Sequence, residues 1–87
     1  MMSDFPLFFK YRNDKSFFKV ESSELMEEIK IIGNYYSVST IMAKTLPDRL
    51  FIQDMIANVG SFWIRIDQAE YRGKKEFCEI FLTKFQA

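Results

Sequence analysis

Apolar and polar side chains alternate in two short runs near the start of the chain. The runs cover residues 5–12 and 15–22, and Asn13 and Asp14 separate them. Alternation with a period of two residues is typical of β-strands, and Asn and Asp tolerate the positive φ that a tight hairpin turn requires. The pattern therefore predicts a β-hairpin at the beginning of the chain.

Counting outward from that turn gives the register of the hairpin and sorts its side chains onto two faces. The predicted cross-strand partners are Arg12 with Lys15, Tyr11 with Ser16, Lys10 with Phe17, Phe9 with Phe18, Phe8 with Lys19, and Leu7 with Val20. The face predicted to lie in the core carries Leu7, Phe9, Tyr11, Phe18 and Val20. The opposite face, here called the basic aromatic face, carries Phe8, Lys10, Arg12, Lys15, Phe17 and Lys19.

Residues 24–43 fit two interpretations. Four apolar residues follow helical spacing after two serines that could cap a helix: Leu25, Met26, Ile29 and Ile32. A second hairpin that turns at Gly33 and Asn34 is the alternative, and it pairs Ile31 with Tyr36, Ile29 with Val38, and Leu25 with Met42. We favour the hairpin because residues 35–41 are rich in aromatic, β-branched and hydroxyl side chains, which suit a pleated surface. Whether residues 24–32 form a strand or a helix stays open on the sequence alone.

A middle helix is predicted to begin after Thr45, which is a candidate N-cap. Pro47 lies within the first turn, Asp48 lies where its charge meets the helix dipole, and the helix runs to about residue 57. Its buried stripe is predicted to be Ile52, Met55, Ile56 and Val59. Asn58, Val59 and Gly60 are expected to end it before a short strand over residues 62–66.

A second helix is predicted to follow that strand directly. Asp67 and Glu70 have the spacing of a capping box, with Asp in place of the usual Ser or Thr. The apolar positions that follow at helical spacing are Tyr71, Cys78, Phe81, Leu82 and Phe85. The pattern thus predicts a C-terminal helix with one apolar stripe.

These elements together predict an α+β fold in one compact domain over residues 1–87. We expect an antiparallel sheet of about five strands, made of two hairpins and a short last strand, with the C-terminal helix packed on one face. The middle helix is expected to cover an edge or part of the second face. The predicted core residues are Leu7, Phe9, Phe18, Val20, Ile29, Ile31, Val38, Ile56, Ile64, Phe81 and Phe85.

Composition narrows the range of functions. The chain has 12 basic and 12 acidic residues, 1 Cys and no His, so it lacks the commonest general base and transition-metal ligand. Cys78 is expected to be an inert core residue, and no nucleotide-binding or hydrolase motif is present. We therefore expect no enzymatic activity, no cofactor, no metal site and no membrane association. A single Cys without a signal-peptide pattern indicates a reducing, cytoplasmic location.

The remaining candidate chemistry lies on the surface. A chain of this size buries only about 60% of the surface that its unfolded form exposes, yet it contains 10 Phe, 4 Tyr and 1 Trp. The basic aromatic face has the composition of a platform on which nucleic-acid bases stack while cations pair with phosphates. The alternative is that Phe8 and Phe17 pack under the middle helix or against a second copy, with the lysines as a solvated rim.

Three further residues are candidates for partner binding. Trp63 and Arg65 alternate on one side of the last predicted strand, and Tyr35 adjoins the predicted Gly33–Asn34 turn. Trp, Tyr and Arg are the residues most enriched among binding hot spots. Trp63 is equally suited to be a core anchor.

The leading hypothesis is a non-enzymatic protein that acts stoichiometrically by occluding or bridging a larger protein or ribonucleoprotein partner. In size and style alone it is similar to the small inhibitors that phages and mobile elements use for counter-defence. A second hypothesis is binding of single-stranded RNA through the basic aromatic face. A third is a homodimer whose sheet faces stack to hide the aromatic side chains.

Overall fold

The computed structural model describes residues 5–58 and 62–85. The secondary-structure elements are β1 (Leu7–Tyr11), β2 (Ser16–Ser22), β3 (Leu25–Ile32), β4 (Tyr35–Met42), α1 (Leu46–Ala57), β5 (Trp63–Ile66), α2 (Gln68–Phe81) and β6 (Thr83–Lys84).

The strands form one sheet in the order β5-β1-β2-β3-β4-β6, with a helix against each face. All neighbouring strands are antiparallel except β4 and β6, which are parallel. The α+β prediction is confirmed. The sheet has six strands rather than about five, because the two-residue strand β6 adds to the outer edge of β4.

The register of the first hairpin is confirmed from Leu7 opposite Val20 to Lys10 opposite Phe17. Asp14 adopts the left-handed conformation at the turn, with φ of 59°. The amide of Lys15 donates to the Asn13 side chain at 2.9 Å. A polar side chain of the turn thus provides the hydrogen-bond acceptor for a backbone amide of the turn.

Residues 25–32 form a strand, and the second hairpin has the predicted register. Ile29 lies opposite Val38, and Leu25 lies opposite Met42. Gly33 has φ of 58° at the turn, a conformation that glycine adopts at little energetic cost. The helical spacing in this segment is overridden because β2 and β4 pair with both edges of the strand.

Helix α1 covers the face that carries Leu7, Phe9, Phe18 and Val20. Ile52 and Met55 are its fully buried side chains, and Ile56 packs beside them. Thr45 occupies the N-cap position without a side-chain hydrogen bond, and Asn58 ends the helix in the left-handed conformation. Val59, the last residue of the predicted stripe, lies outside the described residues.

Helix α2 covers the opposite face, which was predicted to be basic and aromatic. Its N-cap prediction is confirmed, since Asp67 Oδ1 accepts a hydrogen bond from the Glu70 amide at 2.8 Å. Tyr71 and Cys78 pack against Phe8, Phe17, Ile29, Tyr36 and Ile66. The sheet therefore has a buried core on both faces.

The predicted burial of Phe81 and Phe85 is wrong. These side chains are 70% and 58% exposed. Phe81 lies on the same side of α2 as the exposed Phe77, and Phe85 lies beyond the end of the helix in an extended segment. An apolar stripe keeps its direction only while the helix continues. The other predicted core residues are buried or half-buried.

Candidate functional site

The basic aromatic face is not an open platform. Phe8 and Phe17 are 6% and 1% exposed. The ring centroid of Phe8 lies 5.3 Å from that of Tyr71 on α2, and Lys74 Nζ lies 5.3 Å from the centroid of Phe17. Stacking of a nucleotide base on either ring would require α2 to move. The packed alternative is the one observed, although the covering element is the C-terminal helix and not the middle helix.

The four cations of the basic aromatic face differ in their surroundings. Lys10 Nζ pairs with Asp14 at 2.8 Å and with Glu70 at 2.9 Å. The hydrogen bond to Asp14 raises the pKa of Lys10 and lowers the pKa of Asp14. Lys19 lies 3.4 Å from Glu21, whereas Arg12 and Lys15 are exposed. The predicted surface, on which stacking rings alternate with phosphate-pairing cations, is therefore not formed.

The three predicted partner-binding residues do not form one surface. Trp63 is 7% exposed and packs against Tyr11 and Phe51, with ring centroids 6.3 and 6.0 Å away. Arg65 is exposed, with its guanidinium 5.7 Å from the Phe9 centroid. Tyr35 lies on β4, four strands away from β5 in the sheet. Trp63 is thus a core anchor, and of the three only Arg65 and Tyr35 are accessible.

A polar cluster attaches α2 to the middle of the sheet. The Tyr71 hydroxyl donates to Glu27 Oε1 at 2.7 Å, and Lys75 Nζ donates to the same oxygen at 3.1 Å. Burial alone would raise the pKa of Glu27, but the two hydrogen bonds outweigh it and hold the pKa below its ordinary value. Burial, together with the bond to Glu27, raises the pKa of Tyr71. These hydrogen bonds join α2 to β3, so we interpret the cluster as a structural contact.

The thiol of Cys78, on α2, is buried between the helix and the sheet. Burial raises the pKa of Cys78, which disfavours the reactive thiolate. Within residues 5–58 and 62–85, no three thiol or carboxylate side chains lie close enough together to hold a metal ion. In the same residues, neither helix is long and apolar enough to cross a bilayer.

A groove lies at the end of the sheet where β3 turns into β4 and β6 joins the edge. Its volume is about 550 Å³, and we call it the β6 groove. It is lined by Lys30, Ile32, Tyr35, Tyr36, Ser37, Lys84 and Phe85. Ile32 is 66% and Tyr35 52% exposed, so the apolar lining is open to solvent.

A separate group of exposed apolar side chains lies on the last turns of α2. Phe77, Ile80 and Phe81 share one side of the helix by their spacing, and the rings of Phe77 and Phe81 lie 5.1 Å apart. Ile32 and Tyr35 alternate with Ile31 and Tyr36, which pack on the α2 face, so they point to the opposite face of the sheet from α2. We use the name apolar patch for the exposed apolar residues that line the β6 groove, which are Ile32, Tyr35 and Phe85.

Sequence reasoning identified Tyr35 but missed the rest of this patch. Ile32 and Tyr35 flank the Gly33–Asn34 turn, and an apolar pair beside a polar turn was an available signal. Phe85 had been assigned to the core by extending the helical period past the end of α2.

No protein-family model, curated protein or solved structure matches the chain.

Proposed function

We propose that the protein is a non-enzymatic binding protein that acts stoichiometrically by occluding or bridging a larger protein or ribonucleoprotein partner. One observation supports this function above all. The three side chains of the apolar patch are each more than 50% exposed and line one groove of about 550 Å³. Exposed apolar clusters of this kind commonly mark protein interaction sites.

The composition of the patch suits a protein partner. Two of its three members, Tyr35 and Phe85, are aromatic, and aromatic side chains offer large contact areas with few rotatable bonds. Lys30 and Lys84 line the adjoining groove, which gives the apolar centre a polar rim. A cytoplasmic location is part of the proposal, and the single buried thiol of Cys78 suits a reducing compartment.

The helices restrict the surfaces that the two competing hypotheses need. RNA stacking needs Phe8 and Phe17, which lie under α2. Stacking of two copies through a bare sheet face would use the part of β3 and β4 around Ile32 and Tyr35 that α1 does not cover, which is the apolar patch itself.

Comparative affinity capture tests the proposal. The protein, the double variant Tyr35→Ser with Phe85→Ser, and the control Phe62→Ser are used as baits in an extract of the cells that make the protein. Phe62 is a suitable control because it is 64% exposed and lies beside β5, away from the patch. Thermal unfolding confirms that all three baits are folded.

We expect one partner that the protein and the Phe62→Ser control both retain and that the double variant loses. Native mass spectrometry should give a fixed ratio of partner to bait. A partner held equally by all three baits would overturn the proposal, as would a partner that leaves the complex chemically changed.

A further inference from the structure

The outer edge of β4 has backbone groups that point away from the sheet. The amides of Thr83 and Phe85 donate to the carbonyls of Asn34 and Tyr36, at 2.9 and 2.7 Å. Backbone groups alternate in direction along a strand, so Val38 and Thr40 also point outward. Within the described residues, 5–58 and 62–85, no backbone group hydrogen-bonds to the outward groups of Val38 and Thr40.

Residues 37–42, here called the free edge of β4, lack the features that protect sheet edges. The segment has neither a charged residue nor a proline, and no bulge interrupts its pairing with β3. Soluble proteins usually blunt an exposed edge with such features or by making it short. The opposite edge fits that rule, because β5 spans only four residues and carries Arg65.

Strand β6 shows that this edge accepts an added strand. It contributes two residues beside Tyr35 and Tyr36, and the hydrogen bond from Phe85 completes its contact. A further strand that pairs with residues 39–42 would extend the sheet on the same edge as β6. Its side chains on one side of the sheet would lie next to the β6 groove.

The charges around the groove indicate what such a strand carries. Lys30 and Lys84 line the groove, and no carboxylate side chain among the described residues lines it. At the far end of the free edge, Met42 is 59% exposed and Lys44 follows two residues later. An extended segment with apolar side chains and flanking carboxylates complements this surface in shape and in charge.

We infer that the partner contributes an extended acidic segment that pairs with the free edge of β4 and extends the sheet in line with β6. This inference rests on the proposed function and specifies how the partner is held. Backbone hydrogen bonds to Val38 and Thr40 supply the register. An apolar side chain of the segment enters the β6 groove, and its carboxylates approach the two lysines.

A matched pair of variants at Thr40 tests the edge. Thr40→Pro removes an outward N–H and leaves the β3–β4 hydrogen bonds in place, since prolines are tolerated on edge strands. Thr40→Val keeps the N–H and changes only the side chain. The probe is a displayed library of random twelve-residue peptides, selected on the unmodified protein.

Selection is expected to enrich peptides in which Asp or Glu accompanies alternating apolar residues. Fluorescence anisotropy should show at least tenfold weaker binding of these peptides to Thr40→Pro and a change below twofold for Thr40→Val. Enrichment of peptides without excess Asp or Glu, or no enrichment, would overturn the inference. Equal affinity for the two variants would also overturn it.

Amide hydrogen exchange provides a readout that does not depend on the folding of the proline variant. An enriched peptide should slow exchange at Val38 and Thr40 by at least tenfold. The amides of Ser39 and Ile41 point towards β3 and should change little. Protection without this alternation would contradict pairing at the edge.

Two outcomes separate this inference from the proposed function. If Thr40→Pro still captures the cellular partner while the Tyr35→Ser, Phe85→Ser variant does not, the patch binds the partner but the edge does not. If light scattering gives a dimer that Thr40→Pro converts to a monomer, a second copy occupies the edge and the acidic segment is ruled out.

Discussion

Replacing Phe17 and Phe81 separately by alanine removes the same side chain from two opposite environments. Phe17 is 1% exposed under α2, and Phe81 is 70% exposed at its end. The sequence alone made Phe17 a candidate for an open binding face, with a packed position as the alternative, and it placed Phe81 in the core. The two substitutions therefore discriminate sharply between that interpretation and the observed packing.

The magnitudes follow from the burial. A phenylalanine side chain buries on the order of 200 Å² when fully covered, and about 25 cal/mol per Å² then corresponds to about 5 kcal/mol. Alanine retains part of this, so we expect Phe17→Ala to lower the free energy of unfolding by about 3–5 kcal/mol. Phe81 buries less than a third of its surface, so Phe81→Ala should lower it by about 1 kcal/mol or less.

Equilibrium unfolding in urea, followed by Trp63 fluorescence, measures both effects. With a slope of about 1.5 kcal/mol per M, Phe17→Ala should shift the midpoint by about 2–3 M. Domains of this size are stable by only about 5 kcal/mol, so Phe17→Leu is included and should cost about 1 kcal/mol. If Phe17→Ala lowers stability no more than Phe81→Ala does, α2 does not cover this face.

Four further outcomes are expected. Asp67→Ala should lower stability by about 1 kcal/mol in urea unfolding, because it removes the N-cap hydrogen bond of α2; no loss would show that the cap is dispensable. Tyr71→Phe should also lower stability by about 1 kcal/mol through the lost bond to Glu27, and an unchanged midpoint would argue against that bond. The pKa of Glu27 is held below its ordinary value of 4.5 in the folded protein. Ionised Glu27 therefore stabilises the fold above pH 4.5, and this stabilisation is lost as the pH falls through the folded-state pKa. In Glu27→Gln, the free energy of unfolding should fall less steeply as the pH is lowered than it does in the unmodified protein. Random single-stranded RNA should show no salt-sensitive binding by fluorescence anisotropy, and tight binding lost in the Lys10→Glu, Lys19→Glu double variant would restore the basic face as a nucleic-acid site.

Local sequence determined the parts of the fold that depend on neighbouring residues. The period-two alternation and the Asn13–Asp14 turn specified the register of the first hairpin, since a slip by one residue would reverse both faces. Asp67 specified the start of α2 because its carboxylate bonds an amide only three residues away. The strand preference of residues 35–41 was enough to favour the second hairpin over a helix.

The candidate site depended on relations that local sequence does not encode. Phe8 and Phe9 are both apolar, and alternation places them on opposite faces without saying which face a helix covers. A helix packs against part of each face, and α2 lies over the one that carries Lys10 and Lys19. Strand β6 is too short to have a period, and it exists because the end of α2 directs the chain along β4.

The sequence by itself therefore determined the first hairpin and its register, the two helices and the short strand between them, and it favoured the second hairpin without excluding a helix there. Only the tertiary structure decided that residues 25–32 form a strand, that Phe17 is covered, that Phe81 and Phe85 are exposed, and that β6 pairs with β4. The physical reason is distance along the chain. Turns, caps and alternation act within a few residues, whereas the position of a helix on a sheet depends on the summed packing of side chains far apart in sequence.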